Sequence, residues 1–343
     1  MRSLHEPFQI GDVTVPNRVV LAPLAGIGNW FVRLQAKRYG AGLAVSEMIS
    51  SFAIHYRNRR TLEELLVIRD EERETGPVSI QLFGQDPEIM RSAAAEVAKA
   101  GADLLDLNMG CPVRKVTKTG AGAALIADAD RAVQVAKAAK EGSNLPVTVK
   151  LRAALKPGGV EGLETARRLV DEANVDAITI HPRSAAVRHK GHPDYDLAKA
   201  LVEELPVPVI VSGGMAGAEH VRHVFEHTGC AAVMLARGAL GNPWLFAQVL
   251  NERADEPTTE EITNEWRWVI DRAQEHLGAE RAVPYLRKFH PWYVERASAP
   301  RSLQDALQRA TTLQEVREAL ATLDHPAWCA GTARLALSGP LSS

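Results

Sequence analysis

Cysteine is scarce in this sequence, and the three residues present are not spaced for a disulfide framework or a metal cage. Cys111, Cys230 and Cys329 are an odd number, and none of them forms a Cys-x-x-Cys pair. Disulfide-stapled folds and zinc cages need paired or clustered cysteines, so both classes are excluded. Any chemistry that a cysteine performs here is therefore expected to be that of a free thiol.

Long apolar runs and a large net charge are also absent. No apolar stretch approaches the roughly 20 residues of a membrane-spanning helix. The N-terminal segment lacks the apolar core and cleavage site of a secretory signal, so the cytoplasm is the expected compartment. The formal net charge of −2 argues against a protein that coats nucleic acid through overall charge, which leaves a local basic patch as the way to hold such a partner.

Eight short apolar runs rich in β-branched residues predict a parallel barrel. Helix-length segments separate several of them, including residues 87–100, 130–141, 162–173 and 218–228. Strands that alternate with helices pair in parallel, and eight of them close an α/β barrel of the (β/α)8 or TIM type. A doubly wound open sheet is the alternative, but no Gly-x-Gly-x-x-Gly follows the first strand. The predicted strands are residues 19–23, 43–47, 78–82, 103–108, 147–151, 177–181, 209–212 and 232–236.

The sequence after residue 250 predicts a different kind of structure. A polar connector is followed by amphipathic helical patterns and by no strand-like run, which is typical of a small helical bundle. We therefore predict a barrel domain over residues 1–250, a helical domain over 251–329 and a loosely ordered tail over 330–343. The helical patterns cover residues 263–276, 281–297, 303–309 and 313–323.

Cys111 is the leading candidate for chemistry because it directly follows a predicted core strand. Residues 102–112 read ADLLDLNMGCP, an apolar run closed by glycine and proline. In α/β barrels the residues just past the C-terminal strand ends build the active site. A free cysteine is more commonly a small buried hydrophobe, but a turn between Gly110 and Pro112 offers the thiol little to pack against.

Polar residues and glycines follow most of the other strands as well. Two glycine-rich turns, at residues 212–214 and 236–238, come after strands seven and eight, where barrels commonly bind phosphate through free backbone N–H groups. Taken singly, each polar residue has an ordinary structural explanation, such as a side chain that caps a loop or a core histidine whose ring nitrogens are hydrogen-bonded. Together at one barrel mouth they favour a phosphorylated cofactor. The other polar residues are Gln81, Asn108, Lys150, Arg152, His181 and Arg183.

Basic residues are predicted to surround this mouth. Nine arginines and lysines follow strands two, four and six, so all nine lie in loops on the mouth side. A single surface charge is usually only solvated, but a cluster around a cofactor pocket suits contacts with the phosphates of folded RNA. The nine residues are Arg57, Arg59, Arg60, Arg114, Lys115, Lys118, Arg183, Arg188 and Lys190.

Five strand-end motifs, in the same order, closely resemble the tRNA-dihydrouridine synthases, especially their bacterial B-type branch. The most specific of them is NMGCP, which ends in Cys111 and Pro112. The likeness runs from the first strand to about residue 246 and resumes in the helical part, where residues 286–293 read LRKFHPWY. The other motifs are NRVVLAPLAG at 17–26, QLFG at 81–84, VTVKLR at 147–152 and RGALGNPW at 237–244.

This resemblance implies an FMN-dependent oxidoreductase that uses NADPH, or NADH, to reduce the C5–C6 double bond of uridine in tRNA. Cys111 would be the catalytic acid, and residues 251–329 would bind tRNA. The implied flavin contacts are Pro23, Leu24, Ala25, Gln81, Lys150 and His181, with Ser212, Gly213, Gly214, Ala236, Arg237 and Gly238 around the phosphate. The expected RNA contacts are Asn108, Arg152, Arg183, Lys288 and His290.

The implied reaction needs an acid at the position of Cys111. Hydride delivery to C6 of uracil leaves enolate character at C4 and C5, and a positioned donor must then protonate C5. Thiols are mostly protonated at neutral pH and can donate without prior activation. A cation at Lys150, near the N1/O2 edge of the flavin, would stabilise the anionic reduced ring.

Three segments of the matching region depart from the family pattern. Leu24 replaces a usual methionine, and Pro182 stands in His-Pro-Arg-Ser where His-Gly-Arg-Thr is usual. Residues 212–214 read Ser-Gly-Gly in place of Asn-Gly-Asp, which removes a carboxylate and alters how a flavin phosphate or ribityl chain is held.

Two other functions fit parts of the sequence. One is a flavin-dependent barrel oxidoreductase that acts on a small enone or pyrimidine, and the other is a non-catalytic RNA-binding barrel. The helical part and the basic mouth argue against the first. The presence of Asn108 and Cys111 argues against the second.

Overall fold

The computed structural model, which describes residues 2–324, begins with a hairpin that the sequence analysis did not predict. Strand β1 (Phe8–Ile10) pairs antiparallel with β2 (Val13–Val15). Strands this short show too little alternation to stand out in the sequence. Their apolar side chains pack in a buried cluster with residues that open barrel strands, such as Leu43 and Ala177. The hairpin thus closes the N-terminal end of the barrel, opposite the strand ends predicted to carry the site.

Parallel strands form a closed barrel, and all eight predicted barrel strands are confirmed. In chain order the strands are β3 (Val19–Leu21), β4 (Leu43–Val45), the two-residue extra strand β5 (Ile49–Ser50), β6 (Val78–Phe83), β7 (Leu104–Met109), β8 (Val147–Ala154), β9 (Ala177–Ser184), β10 (Val209–Ser212) and β11 (Ala232–Leu235). Strand β4 pairs with β6, and β11 pairs with β3 to complete the circle. Their C-terminal ends therefore meet at one mouth.

Helices connect the barrel strands, and their ends follow from local sequence. Asp86 begins α4 because its carboxylate accepts two backbone N–H groups of the first turn. Asn144, Asn174 and Gly229 end α6, α7 and α9 in the left-handed conformation. In chain order the helices are α1 (Trp30–Arg38), α2 (Ser51–His55), α3 (Asp70–Glu74), α4 (Pro87–Lys99), α5 (Arg114–Thr117), α6 (Ala129–Ser143), α7 (Glu161–Ala173), α8 (Tyr195–Glu204), α9 (Ala218–Thr228) and α10 (Leu245–Val249).

A second compact unit is entirely helical. Among the described residues, 240–244 and 254–324 form this unit, and the remaining residues form the barrel unit. Its helices are α11 (Thr259–Leu277), α12 (Ala279–Leu286), α13 (His290–Arg296), α14 (Arg301–Arg309) and α15 (Leu313–Ala321). Within residues 2–324, no helix is long and apolar enough to cross a membrane. The predicted tail and Cys329 lie outside the described residues.

The single helix predicted over residues 281–297 is wrong, because two helices occupy this stretch. Helix α12 ends in tight turns in which the backbone N–H of Lys288 donates to the carbonyl of Tyr285 and that of Phe289 to Leu286. Pro291 then stands in the first turn of α13. Proline lacks an amide hydrogen and disfavours helical geometry in the residue before it, so it begins a helix more readily than it continues one.

A fully buried ion pair ties α1 to α3. Arg33 Nε lies 2.7 Å from Glu72 Oε1, and Nη2 lies 2.9 Å from Oε2. The guanidinium also donates to the carbonyl of Val67 at 2.7 Å, and the carboxylate accepts the backbone N–H of Arg69 at 3.2 Å. Both side chains are fully buried, so each charge depends on the other.

Replacement of Glu72 by alanine should lower the free energy of unfolding by about 3–5 kcal/mol, because it leaves a buried guanidinium without a counter-ion. Urea denaturation followed by circular dichroism measures this loss. Arg59→Ala is the matched control, since Arg59 pairs with Glu63 on the surface, where ion pairs contribute little. Equal losses in the two variants would contradict this account of the pair.

Candidate active site

A cavity of about 890 Å³ opens at the mouth of the barrel. This volume lies in the usual range of cofactor and ligand sites. All residues implied as flavin contacts line the cavity, and Cys111 lines it too. The implied contacts are Pro23, Leu24, Ala25, Gln81, Lys150, His181, Ser212, Gly213, Gly214, Ala236, Arg237 and Gly238. The predicted RNA contacts Asn108, Arg152 and Arg183 also line the cavity.

The charge of the cavity wall has one sign. Seven arginine and lysine side chains line the cavity, and no carboxylate within residues 2–324 does so. Like charges gathered at a partly buried surface repel one another, so the arrangement favours an anionic ligand. The seven residues are Arg114, Lys115, Lys150, Arg152, Arg183, Arg188 and Arg237.

Lys150 stands on β8 with its side chain half-buried in the cavity wall. Burial and the nearby charge of Arg152 lower the pKa of Lys150 to about 8, although Asp106 partly opposes this shift. The ammonium makes no hydrogen bond or ion pair with any described residue. An ammonium has three donors, and a buried one without partners is costly. Lys150 is therefore placed to donate to a ligand in the cavity.

His181, on β9, is held neutral. Burial lowers its pKa strongly, and the positive charges of Lys150, Arg152 and Arg183 lower it further. Arg183 Nη1 lies 3.5 Å from His181 Nε2, a geometry in which the arginine donates to the ring nitrogen. The ring thus offers the cavity an uncharged polar surface.

Glycines allow the turn after β10 to pack closely against His181. Gly213 has a φ of +103°, and a Cβ on it would lie 2.4 Å from the His181 ring. Gly214 has a φ of +83°, and the Tyr195 hydroxyl donates to the Gly213 carbonyl at 2.8 Å. Backbone without side chains can approach a phosphate closely. Arg183 adds a buried Nε that has no partner among the described residues.

The turn that carries Cys111 is held at its backbone from two sides. The backbone N–H of Cys111 donates to Asn108 Oδ1 at 3.0 Å, and the N–H of Gly110 donates to the same oxygen at 3.3 Å. The carbonyl of Cys111 accepts the N–H of Ala123 at 3.0 Å. Since the backbone makes these bonds, the half-buried thiol is left to face the cavity.

Arg152 has a different local environment from the one predicted for an RNA contact. Its Nε donates to the carbonyl of Gly110 at 3.0 Å, and its Nη1 donates to the carbonyls of Ser184 and Arg188 at 3.1 and 2.9 Å. The side chain is buried. Arg152 therefore links the Cys111 turn to the loop after β9.

The structure corrects the prediction that His290 contacts RNA. The imidazole is fully buried in the helical unit, where its Nδ1 accepts a hydrogen bond from Trp266 Nε1 at 3.2 Å. Burial lowers its pKa to about 4, so the ring is neutral at physiological pH. A buried neutral ring cannot bind a phosphate. Lys288, the other predicted contact of this unit, is exposed and lies over the ring of Tyr285.

The predicted basic loops fall into two groups. The three arginines that follow β5 each have a glutamate close by: Arg57 lies near Glu96, Arg59 near Glu63 and Arg60 near Glu64. The cations of the other two loops make no ion pair with a described carboxylate. Arg183 lies on β9 itself. We call the other five residues the rim cations, and they are Arg114, Lys115, Lys118, Arg188 and Lys190.

Some lining residues were missed by the sequence analysis. Met48, Met215 and Met234 add apolar surface to the wall, and His189 lies 6.2 Å from His181, ring centre to ring centre. Met215 directly follows the predicted turn 212–214, so its position could have been inferred. His189 lies in a long loop without a motif, and only folding brings it to the mouth.

Comparison with known proteins identifies the family. A family model described as dihydrouridine synthase (Dus) matches residues 20–327 of the chain. The chain belongs to the dihydrouridine synthase family. Relatives of the family include tRNA-dihydrouridine synthase B of Vibrio vulnificus, which is 32% identical over 91% of this chain and 98% of its own. The protein of that name from Pseudomonas aeruginosa is 32% identical over 88% of this chain and 91% of its own.

Solved structures with the same architecture are more distant from this dihydrouridine synthase. A morphinone reductase in complex with tetrahydroNAD is 16% identical, covers 76% of this chain and 94% of its own, and superposes with a TM-score of 0.51. A 2-naphthoyl-CoA reductase is 15% identical, with coverages of 73% and 52% and a TM-score of 0.54. At this identity the likeness establishes the barrel fold alone.

Lys150→Met should stabilise the ligand-free protein at pH 7, by on the order of 1 kcal/mol, because it removes a half-buried charge that has no partner among the described residues. The unfolded chain binds the lysine proton more tightly than the folded one. Wild-type stability therefore rises from about pH 8 to the ordinary lysine pKa of 10.5, and the advantage of the variant shrinks over that window. Urea denaturation on both sides of pH 8 measures the difference.

Lys37→Met is the matched control for this substitution. Burial lowers the pKa of Lys37 to about 8 as well, but its ammonium donates to the carbonyls of Glu72 and Gly76, each at 2.8 Å. Loss of these bonds should destabilise the protein. If both methionine variants lost stability equally, Lys150 would not be a group kept free for a ligand.

Proposed function

We propose that this dihydrouridine synthase is an FMN-dependent enzyme that reduces the C5–C6 double bond of uridine in tRNA. The observation that carries the proposal is the barrel-mouth cavity, which has seven cations, no carboxylate of the described residues, and the thiol of Cys111 in its wall. The relatives named tRNA-dihydrouridine synthase B, which match almost the whole chain, support the same substrate.

The residues present fit FMN. Gly213 and Gly214 leave their backbone open, and Arg183 and Arg237 supply positive charge for a phosphate. Residues 22–25 and the three methionines supply apolar wall for a flat ring. Lys150 supplies a half-buried donor with no other partner among the described residues. Bound there, FMN would supply hydride for the substrate, with NADPH or NADH as the source of the electrons.

Cys111 would protonate C5 of the uracil. The thiol gives up its proton to the carbon, and the bond from sulfur to hydrogen breaks as the bond from C5 to hydrogen forms. The sulfur is left negative until it takes a proton from water. Lys150 and Arg152 both interact electrostatically with Cys111, and their positive charge offsets the negative charge that forms.

The rim cations would hold the RNA backbone. They have no carboxylate partners among the described residues, so their charge is available to phosphates. The target uridine would have to leave its stack to reach the cavity, as bases do in other enzymes that act on them. We also propose that residues 251–324, which expose Lys288, contribute to tRNA binding.

Cys111→Ala should retain bound flavin and nearly abolish uridine reduction, because only the proton donor is removed. Dihydrouridine is mapped across all RNA of a deletion strain complemented with wild type or variant, and flavin is measured by the visible absorption of the purified protein. Cys230→Ala is the control, since this buried cysteine lies at the opposite end of the barrel, before β11. A fully active Cys111→Ala protein would defeat the assignment.

The joint substitution Arg114→Ala and Lys115→Ala should weaken tRNA binding and reduce the slope of log affinity against log salt by about 1.5, because two phosphate contacts are lost. Fluorescence anisotropy with labelled tRNA at several salt concentrations measures the slope. Arg59→Ala with Arg60→Ala removes the same charge from ion-paired positions and should change the slope far less. Equal slopes for the two double variants would show that the rim cations do not bind RNA.

A further inference from the structure

Three side chains on adjacent strands form one buried polar layer inside the barrel. Gln81 on β6 is in register with Asp106 on β7, and Asp106 is in register with Thr148 on β8. All three are buried. Asp106 does not line the cavity, and the proposed reaction gives it no role.

A continuous chain of hydrogen bonds runs from this layer to the Cys111 turn. Thr148 Oγ1 donates to Asp106 Oδ1, and Gln81 Nε2 donates to Asp106 Oδ2 at 2.5 Å. Asn108 Nδ2 then donates to Gln81 Oε1 at 2.9 Å. At the far end, Asn108 Oδ1 accepts the backbone N–H of Cys111 at 3.0 Å.

We propose that Asp106 is a positioning residue that sets the direction of the Gln81 and Asn108 amides and, through them, holds the backbone of the Cys111 turn. This inference rests on the proposed role of Cys111. It assigns a function to a carboxylate that touches neither cavity nor ligand.

The direction follows from what each group can donate or accept. A carboxylate only accepts, so Gln81 must turn its NH2 group towards Asp106 and its carbonyl oxygen towards Asn108. Asn108 must then turn its NH2 group towards Gln81 and its oxygen towards the Cys111 turn. If both amides were reversed, Asn108 would place its NH2 group against two backbone N–H groups. Those donors would be left unpaired, which is costly for buried groups.

Thr148 allows the chain of hydrogen bonds to keep its direction when Asp106 alone is changed. A hydroxyl can donate or accept, so in Asp106→Asn the new NH2 group can donate to Thr148 while the new oxygen still accepts from Gln81. In Thr148→Val the carboxylate alone still accepts from Gln81. Each single substitution therefore keeps the direction of the amides. In the double variant the hydroxyl of residue 148 is gone, so the NH2 group of the new asparagine at 106 can donate only to Gln81. Gln81 must then turn its oxygen towards residue 106, which reverses the amides.

The test is a double-mutant cycle on the full chain with two readouts. The double variant carries Asp106→Asn and Thr148→Val. We expect its turnover at saturating FMN and tRNA to be about tenfold lower than the product of the two single effects. We also expect the amide hydrogens of the Gly110–Cys111 peptide to exchange about tenfold faster than in the wild type. Each single variant should keep most of its turnover and protection. Hydrogen exchange does not depend on flavin chemistry, so it tests the positioning role directly.

Two further variants separate positioning from general loss of stability. Asp106→Asn with Thr148→Ser restores the hydroxyl and should rescue both readouts. Asp106→Asn with Thr165→Val removes another buried hydroxyl, one that donates to the carbonyl of Ile126, and should be additive. If the pair fails to fold, Gln81→Met cuts the chain at its middle and should itself deprotect the Cys111 amide.

The outcomes are distinct. Additive effects in the pair, or an unchanged Cys111 amide in both the pair and Gln81→Met, would overturn the positioning role while wild-type dihydrouridine formation stands. A wild type that forms no dihydrouridine would overturn the proposed function, but the exchange result would still show whether Asp106 holds the turn.

Discussion

The concentration of positive charge at the barrel mouth, without carboxylates of the described residues beside it, is the constraint on which the rest of the structure depends. Burial, together with this repulsion, lowers the pKa of Lys150 to about 8 and also lowers the pKa of His181. An arrangement of this kind is unfavourable in the ligand-free protein and favourable once an anion is bound. The scaffold must therefore supply stability from elsewhere.

Contacts outside the cavity contribute to that stability. The hairpin of β1 and β2 adds apolar side chains to the closed N-terminal end, and the Arg33–Glu72 pair joins two flanking helices. Strand pairing around the whole circle leaves no open edge in the barrel. The hairpin and the site thus lie at opposite ends of the barrel, which is the usual arrangement in this architecture.

Hydrogen bonds, more than charge, hold the turn that carries Cys111 in position. Arg152 joins the Cys111 turn to the loop after β9, and the side-chain oxygen of Asn108 accepts a backbone N–H of the same turn. Both use backbone groups of the turn and leave the thiol unconstrained. A proton donor built in this way is held in position by its backbone while its side chain remains available to the substrate.

Much of the barrel could be predicted, and the errors have identifiable causes. Buried parallel strands appear as apolar runs, so all eight barrel strands were found. The hairpin was missed because its two short strands are each interrupted by a polar residue, Gln9 or Thr14, and so form no continuous apolar run like those of β3 and β4. Residues 281–297 were predicted as one helix because their apolar periodicity continues across the break, although Pro291 is a signal that could have placed it.

The sequence by itself determined which residues surround the mouth, because in a parallel barrel the order of strands along the chain dictates where their ends lie. It could not determine which of the predicted site residues, in the barrel or in the helical unit, are free to act. His290 and Lys288 are two positions apart, yet one is buried and the other exposed. Arg59 and Arg114 both follow strands, yet only Arg59 has a carboxylate partner. Partnering and burial arise from contacts between segments distant in sequence, and only the tertiary structure decided them.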